Sequence, residues 1–264
     1  MRILVCIKQV PGTTKVDLDP ETGVLKRTGV SSKMNPYDLY AVEAAMQIKE
    51  NHPQASVDVL TMGPPQAEAI LREAYMMGVD HAVLMTDRAF AGADVLATAT
   101  TLAEGIKHLG GYDLIICGKQ TTDGDTAQVG SELAELLSIT HQSDVSKISM
   151  IDNEGLSLEV EYPEAIHKLY VNFPLLLTVS KGINSPRLPS YRKKLLTATK
   201  PIQTLTIADL PESQVSFFGL DGSPTQVDRV FPPQVKKERF LWQEEPEILA
   251  KQLVTALRQR KTID

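Results

Sequence analysis

From residue 118 to residue 130 the chain reads Gly118-Lys119-Gln120-Thr121-Thr122-Asp123-Gly124-Asp125-Thr126-Ala127-Gln128-Val129-Gly130, a turn studded with glycine, acid and hydroxyl. Gly118, Gly124 and Gly130 remove side chains where a phosphate could approach backbone, Thr126 offers a hydroxyl, and Asp125 could cap a helix or hold a ribose hydroxyl. The glycine spacing matches neither the Walker nor the dinucleotide fingerprint. Composition alone therefore serves an anion or nucleotide site and an ordinary helix-capping turn equally well. Asn35-Pro36-Tyr37-Asp38 is a second candidate: Asn35 is a natural N-cap, Pro36 suits the first helical position and Asp38 can complete a capping box. That accounts for it structurally, and the functional alternative is a grip on adenine or ribose. Met62-Gly63-Pro64-Pro65 is either a plain turn or a place where a ligand lies against bare backbone.

Other chemistries lack residues. The five histidines fall in or beside polar stretches with no HExxH, and there is no GxSxG, so neither metal hydrolysis nor a serine triad has support. Cys6 and Cys117 are the two cysteines, each inside an apolar run and without CxxC spacing, which disfavours a disulfide framework or a zinc site and points to a reducing cytoplasm. A net charge of −6 gives no footprint for nucleic acid or an anionic membrane. The five apolar residues that precede Lys8 are too few for a signal or a membrane span.

The elements that must position these residues are legible as alternation. Ile3–Ile7, Val57–Leu60, Ala82–Met85 and Leu114–Cys117 read as strands buried on both faces. Between and after them, Leu39, Val42 and Met46, then Ala67, Ile70, Leu71 and Ala74, then Val95, Ala99, Leu102 and Ile106, and finally Val129, Leu133 and Leu136 recur at helical spacing. Repeated strand-helix-strand units predict an α/β, doubly wound parallel sheet, whose ligands bind beyond the carboxyl ends of the strands. All three candidate segments follow such ends.

The connection from Gln9 to Met34 is long, with a hairpin expected over Asp17–Leu25. From about residue 143 the texture turns to alternating runs, Leu156–Val160 and Leu175–Val179, read as edge or antiparallel strands of the same sheet. The length of 264 residues corresponds to about 1.8 domains. It divides as a sheet domain over 1–182 and an arm over 183–264 that is Pro-punctuated to Phe231-Pro232-Pro233 and ends in a helix from about Pro246 to Lys261. In that arm Leu188, Pro189 and Tyr191 form an apolar tip flanked by charge. It is equally an anchor for another protein and a loop folded back on its own core. The string Arg192-Lys193-Lys194 reads first as a solvated face.

Several segments together resemble the beta (small) subunit of an electron transfer flavoprotein over essentially the whole chain. They are Ile3–Pro11, Met34–Asp38, Met62-Gly63-Pro64, Met77-Gly78-Val79-Asp80, and above all Cys117–Gln120 with Asp123–Gly130. The resemblance implies an adenine nucleotide alpha hydrolase-like nucleotide-binding domain, and a heterodimer with an alpha subunit against which the terminal helix packs. It implies a nucleotide touching Cys6, Asn35, Met62, Gly118 and the residues Asp123, Gly124, Asp125, Thr126, Gln128, Val129 and Gly130. That nucleotide is AMP in ordinary members and a second FAD in electron-bifurcating ones. The Asp-Gly-Asp-Thr-Ala-Gln-Val-Gly form and Gly219–Val227 resemble the bifurcating group, which relays electrons between NADH, ferredoxin and a flavin dehydrogenase such as an acyl-CoA or lactate dehydrogenase. Leu188-Pro189 matches the family's docking anchor, with a shorter spacing around it than in mitochondrial-type members. Pro11-Gly12-Thr13 departs from the commoner Pro-Asp-Thr.

Overall fold

A computed structural model describes residues 1–12, 32–210, 215–228 and 241–262. The expected hairpin over Asp17–Leu25, Thr13 and the Phe231–Pro233 run lie outside the described residues. The elements in chain order are β1 (Arg2–Cys6), β2 (Gln9–Pro11), β3 (Ser32–Met34), α1 (Pro36–Asn51), β4 (Ser56–Met62), α2 (Glu68–Met77), β5 (His81–Met85), α3 (Val95–His108) and β6 (Leu114–Gly118). They continue with α4 (Val129–Leu137), β7 (Thr140–Ile151), β8 (Gly155–Glu161), β9 (Ile166–Asn172), β10 (Leu175–Val179), α5 (Tyr191–Leu196), β11 (Gln203–Leu205) and α6 (Pro246–Gln259).

Nine strands form one sheet in the order β11-β5-β4-β1-β6-β10-β7-β8-β9. The first seven are mutually parallel, and β8 and β9 are antiparallel additions. The four apolar runs are strands because helices cover both faces, so every side chain along them meets a core. On one face Ile3, Val5, Val57 and Val59 pack with Ala41, Val42, Ile70 and Leu71 of α1 and α2. On the other, Leu4, Leu60, Ile115 and Cys117 pack with Ala99, Leu102, Ile106 and Leu133 of α3 and α4. The ends of the long connection pair as β2 and β3, which brings Met34 back beside Gln9.

One sequence expectation changes. Leu175–Val179 is neither an edge nor an antiparallel strand: β10 runs parallel between β6 and β7, and all five of its residues are buried. Only Leu156–Val160, within β8, takes the antiparallel role. The sheet also continues beyond residue 182, because β11 pairs in parallel with β5 after a segment tied to α2 by Arg72 Nη1 and Tyr75 Oη, each donating at 2.6 Å to the carbonyls of Lys200 and Pro201. By contacts the chain forms two compact units, Met1–Asp228 and Arg229–Asp264. In the second, α6 begins on Pro246 and buries none of its residues. No helix among the described residues is long and apolar enough to cross a membrane.

Candidate functional site

The strand order reverses at β1. The chain lays β4 and then β5 to one side of it and returns through α3 to place β6 on the other. The crevice outside the carboxyl ends of β1 and β6 is therefore a topological switch point, the usual ligand position of an open α/β sheet. Cys6 and Cys117 are register partners there. Hydrogen bonding to Cys6 and burial push the Cys117 thiol up.

Each candidate segment reaches this rim. Met62 ends β4, half-buried against the same core face as Cys6. Asn35 starts α1 and is wholly buried. Its side chain does not cap the helix. Instead Nδ2 donates to Asp38 Oδ1 and to the Gln120 carbonyl, both at 2.9 Å, while Oδ1 accepts the Thr122 N–H at 3.3 Å. The amide thus holds the 120–122 backbone in place. Asp38 completes no capping box either: its Oδ2 accepts the Lys8 N–H at 2.7 Å. Burial pushes its carboxyl up to about 7 against the lowering bonds from Asn35 and Lys8.

The loop itself is exposed from Thr122 to Gln128. Lys8 Nζ donates to Asp123 Oδ1 at 2.9 Å, and although burial alone would raise the Asp123 carboxyl, that bond and the lysine charge hold it below the usual range. Asp123 Oδ1 and Thr121 Oγ1 in turn accept the Gly124 N–H. The three glycines do different work. A Cβ at Gly118 would run into Asp38 Oδ1 and the Tyr37 backbone, and one at Gly130 into the Thr178 side chain, so both permit close packing. At Gly124 the nearest atom to a Cβ is Thr121 Oγ1, 3.4 Å away, so the space beside that residue is open although its N–H is held. Asp125 and Ala127 both take positive φ near 55°, and Asp125 accepts from Gln120 Nε2.

None of the loop's acids or hydroxyls caps α4, whose start carries no side-chain cap. The start of α3 is a useful contrast. Asp94 Oδ1 accepts the Ala97 N–H at 3.0 Å, and Ser223 and Thr225, from the Gly219–Val227 segment, bond to Asp94 in turn. A helix start left without a cap presents free N–H groups and a partial positive charge to an anion. Without a side-chain cap, the start of α4 is compatible with the phosphates of a nucleotide. At the same rim, Thr61 Oγ1, one residue before Met62, is buried without a partner among the described residues. Sequence reasoning missed Lys8 and Gln120, and it gave Asp38 a capping role; capping grammar accounts for Asn-Pro-Tyr-Asp so fully that no local signal reveals the tertiary bonds.

The apolar tip stands apart from the rim. Leu188 is 87% and Tyr191 72% exposed, and Pro189 is exposed between them. The tip is therefore not folded back on the core. Arg187 roots it: Nε and the backbone N–H donate to Glu43 Oε2 at 2.6 and 3.0 Å, Nη2 to Glu43 Oε1 at 3.0 Å, and Nη1 to Glu50 at 2.7 Å. In the basic string, Lys193 is not simply solvated, since its Nζ donates to the Met77 carbonyl at 3.0 Å.

The family model for the electron transfer flavoprotein domain matches residues 22–210. The caffeyl-CoA reductase-Etf complex subunit CarD of Acetobacterium woodii is 44% identical over 236 residues, 89% of each chain. The electron transfer flavoprotein subunit beta of Clostridium acetobutylicum is 44% identical over 236 residues, 89% of this chain and 90% of its own. Protein FixA of Azorhizobium caulinodans is 41% identical over 245 residues, 90% of this chain and 87% of its own. With this match joined to a mostly parallel sheet, the chain belongs to the electron transfer flavoprotein family, as a beta subunit.

Proposed function

We propose that this chain is the FAD-binding beta subunit of an electron transfer flavoprotein heterodimer, in which an adenine nucleotide alpha hydrolase-like domain holds the nucleotide at the β1–β6 switch point. The observation that carries the reading is the start of α4, which no side chain caps, at the end of a loop exposed from Thr122 to Gln128. Pyrophosphate or phosphate lies there, with Asp123, Asp125, Thr126, Gln128 and Val129 along the exposed rim and Cys6, Met62 and Gly118 at its floor. Bound FAD supplies one- and two-electron chemistry; the chain's residues bind it, orient it and tune the surrounding charge. The Asp123–Gly130 wording resembles bifurcating members and supports FAD over AMP. The similarity to a subunit of a reductase-Etf complex supports work beside a flavin dehydrogenase.

On this reading the complex works in the cytoplasm. It relays electrons between NADH, ferredoxin and that dehydrogenase by flavin-based bifurcation or confurcation. Leu188, Pro189 and Tyr191 dock the dehydrogenase, and α6 packs on the alpha subunit. The test is a count of nucleotides extracted from the purified heterodimer by absorbance and chromatography. Two FAD per complex are expected. One FAD with one AMP overturns the two-flavin reading, and a beta chain that holds no adenine nucleotide overturns the site.

A further inference from the structure

Asp38 is only 4% exposed, caps nothing and touches three segments. Its two oxygens accept the Lys8 N–H from the turn after β1 and Asn35 Nδ2 from the start of α1. The other N–H of that amide holds the Gln120 carbonyl, and its oxygen holds the Thr122 N–H. Against the third segment, the end of β6, Gly118 leaves the room that the carboxylate occupies, and its backbone N–H adds to the lowering of that carboxyl. The charged and titratable groups that face Asp38 are Lys8 from the turn after β1 and Cys117 from β6, with Cys6 beside Cys117 on β1. The Lys8 ammonium reaches on to Asp123, so the carboxylate is answered mainly by N–H dipoles.

A carboxylate with both oxygens accepting becomes, on protonation, a donor at one of them. The proton also removes the negative charge that strengthens the accepted bonds, so the hold on the Lys8 turn and on the Asn35 amide weakens. Because Asn35 carries the 120–122 backbone, release there passes directly into the loop.

We propose that Asp38 is the positioning residue of the nucleotide loop: ionised, it fixes the 120–122 backbone through Asn35 in the shape that holds the nucleotide, and protonated, it lets that shape go and the nucleotide leave. Asp38 itself touches no ligand in this scheme, which rests on the nucleotide reading of the rim. Burial, which pushes this carboxyl up to about 7, places the change near neutrality.

The test uses the nucleotide-stripped heterodimer with AMP and FAD as probes, titrated from about pH 8 to about pH 6. One linked proton raises the Kd roughly tenfold across that range. In Asp38→Ser binding is weaker at the upper pH and flat below it. A second measurement needs neither the variant nor a ligand: hydrogen exchange in the wild-type complex, corrected for intrinsic rates. Amides of 118–126 lose protection as the pH falls through about 7, while those of Val57–Leu60 in the sheet do not. Affinity independent of pH in the wild type, an unchanged pH slope in Asp38→Ser, or loop protection that does not respond to pH overturns the proposal. Failure of both probes to bind at every pH defeats the nucleotide reading instead, and the exchange measurement still judges the hold of Asp38 on the loop.

Discussion

Helix α1 carries two buried acids, Asp38 and Glu43, each 4% exposed and each holding an exposed loop by its root. They respond to burial in opposite ways. Burial raises the carboxyl of Asp38, and the N–H groups of Asn35 and Lys8 do not reverse it. Burial also acts to raise Glu43, but the side-chain bonds, backbone N–H and charge of Arg187 outweigh it and hold that carboxyl below the usual range. The difference lies in what answers the charge. A full guanidinium fork makes a lock indifferent to pH near neutrality, whereas N–H dipoles with only the more distant charge of Lys8 make one that opens there. The Leu188–Tyr191 tip is fixed by the first kind and the loop after β6 by the second.

The largest effect should come from removing the guanidinium. Arg187→Ala leaves Glu43 buried without its partner and is expected to lower unfolding free energy by about 3 kcal/mol. Urea unfolding of the variant checks this, and adding Glu43→Gln should recover part of the loss. A change below about 0.5 kcal/mol would place the pair among weak surface bridges and erase the contrast with Asp38.

The pH response is the next largest. Asp38 has a folded pKa above its unfolded one, so its contribution to stability is full below about 4 and is lost as pH rises through about 7. Glu43 is depressed: its contribution is present above 4.5 and is lost as pH falls through its lowered value. Between about pH 5 and about pH 8, Asp38→Ser should therefore gain on the wild type by about 2 kcal/mol, while Glu43→Gln shows no such trend. Urea midpoints at the two pH values decide it, and parallel curves for Asp38→Ser and wild type would end the distinction. A smaller effect belongs to Gly118→Ala. Its methyl would meet Asp38 Oδ1 and the Tyr37 backbone, costing about 1 kcal/mol and displacing the carboxylate. Thermal unfolding and nucleotide content should fall together; lost stability with full nucleotide content would separate packing from the site.

What the sequence reveals follows the same division between local and distant causes. β1, β4, β5 and β6 are legible because burial on both faces leaves uninterrupted apolar runs, and α1 to α4 because one apolar stripe recurs. β7 and β9 are not, since β7 is mostly polar and β9, though it holds Ile166, Leu169, Tyr170 and Val171, buries none of its residues, and the three residues of β11 carry no period. In the site, the glycines and acids of 118–130 mark the loop. The work of Asn35 and Asp38 stays hidden, because two of the three partners of the Asn35 side chain lie 85 and 87 positions away in sequence, and Lys8, a partner of Asp38, lies 30 away.

The smallest stability effect is expected where the functional effect is largest. Leu188 is 87% exposed, so Leu188→Ala removes almost no buried surface, and its unfolding free energy should stay within about 0.5 kcal/mol of wild type. Flavin content should not change, because the tip hangs from the Glu43 lock and not from the Asp38 one. Electron exchange with the partner dehydrogenase should weaken, since an exposed leucine on a rigid root is the kind of side chain that fills a pocket on another protein. Reduction kinetics of the heterodimer by the dehydrogenase, read beside flavin absorbance, measure both quantities in one sample. Loss of flavin in this variant would mean that the two loops are coupled through α1, and the two carboxylates would then act as one device.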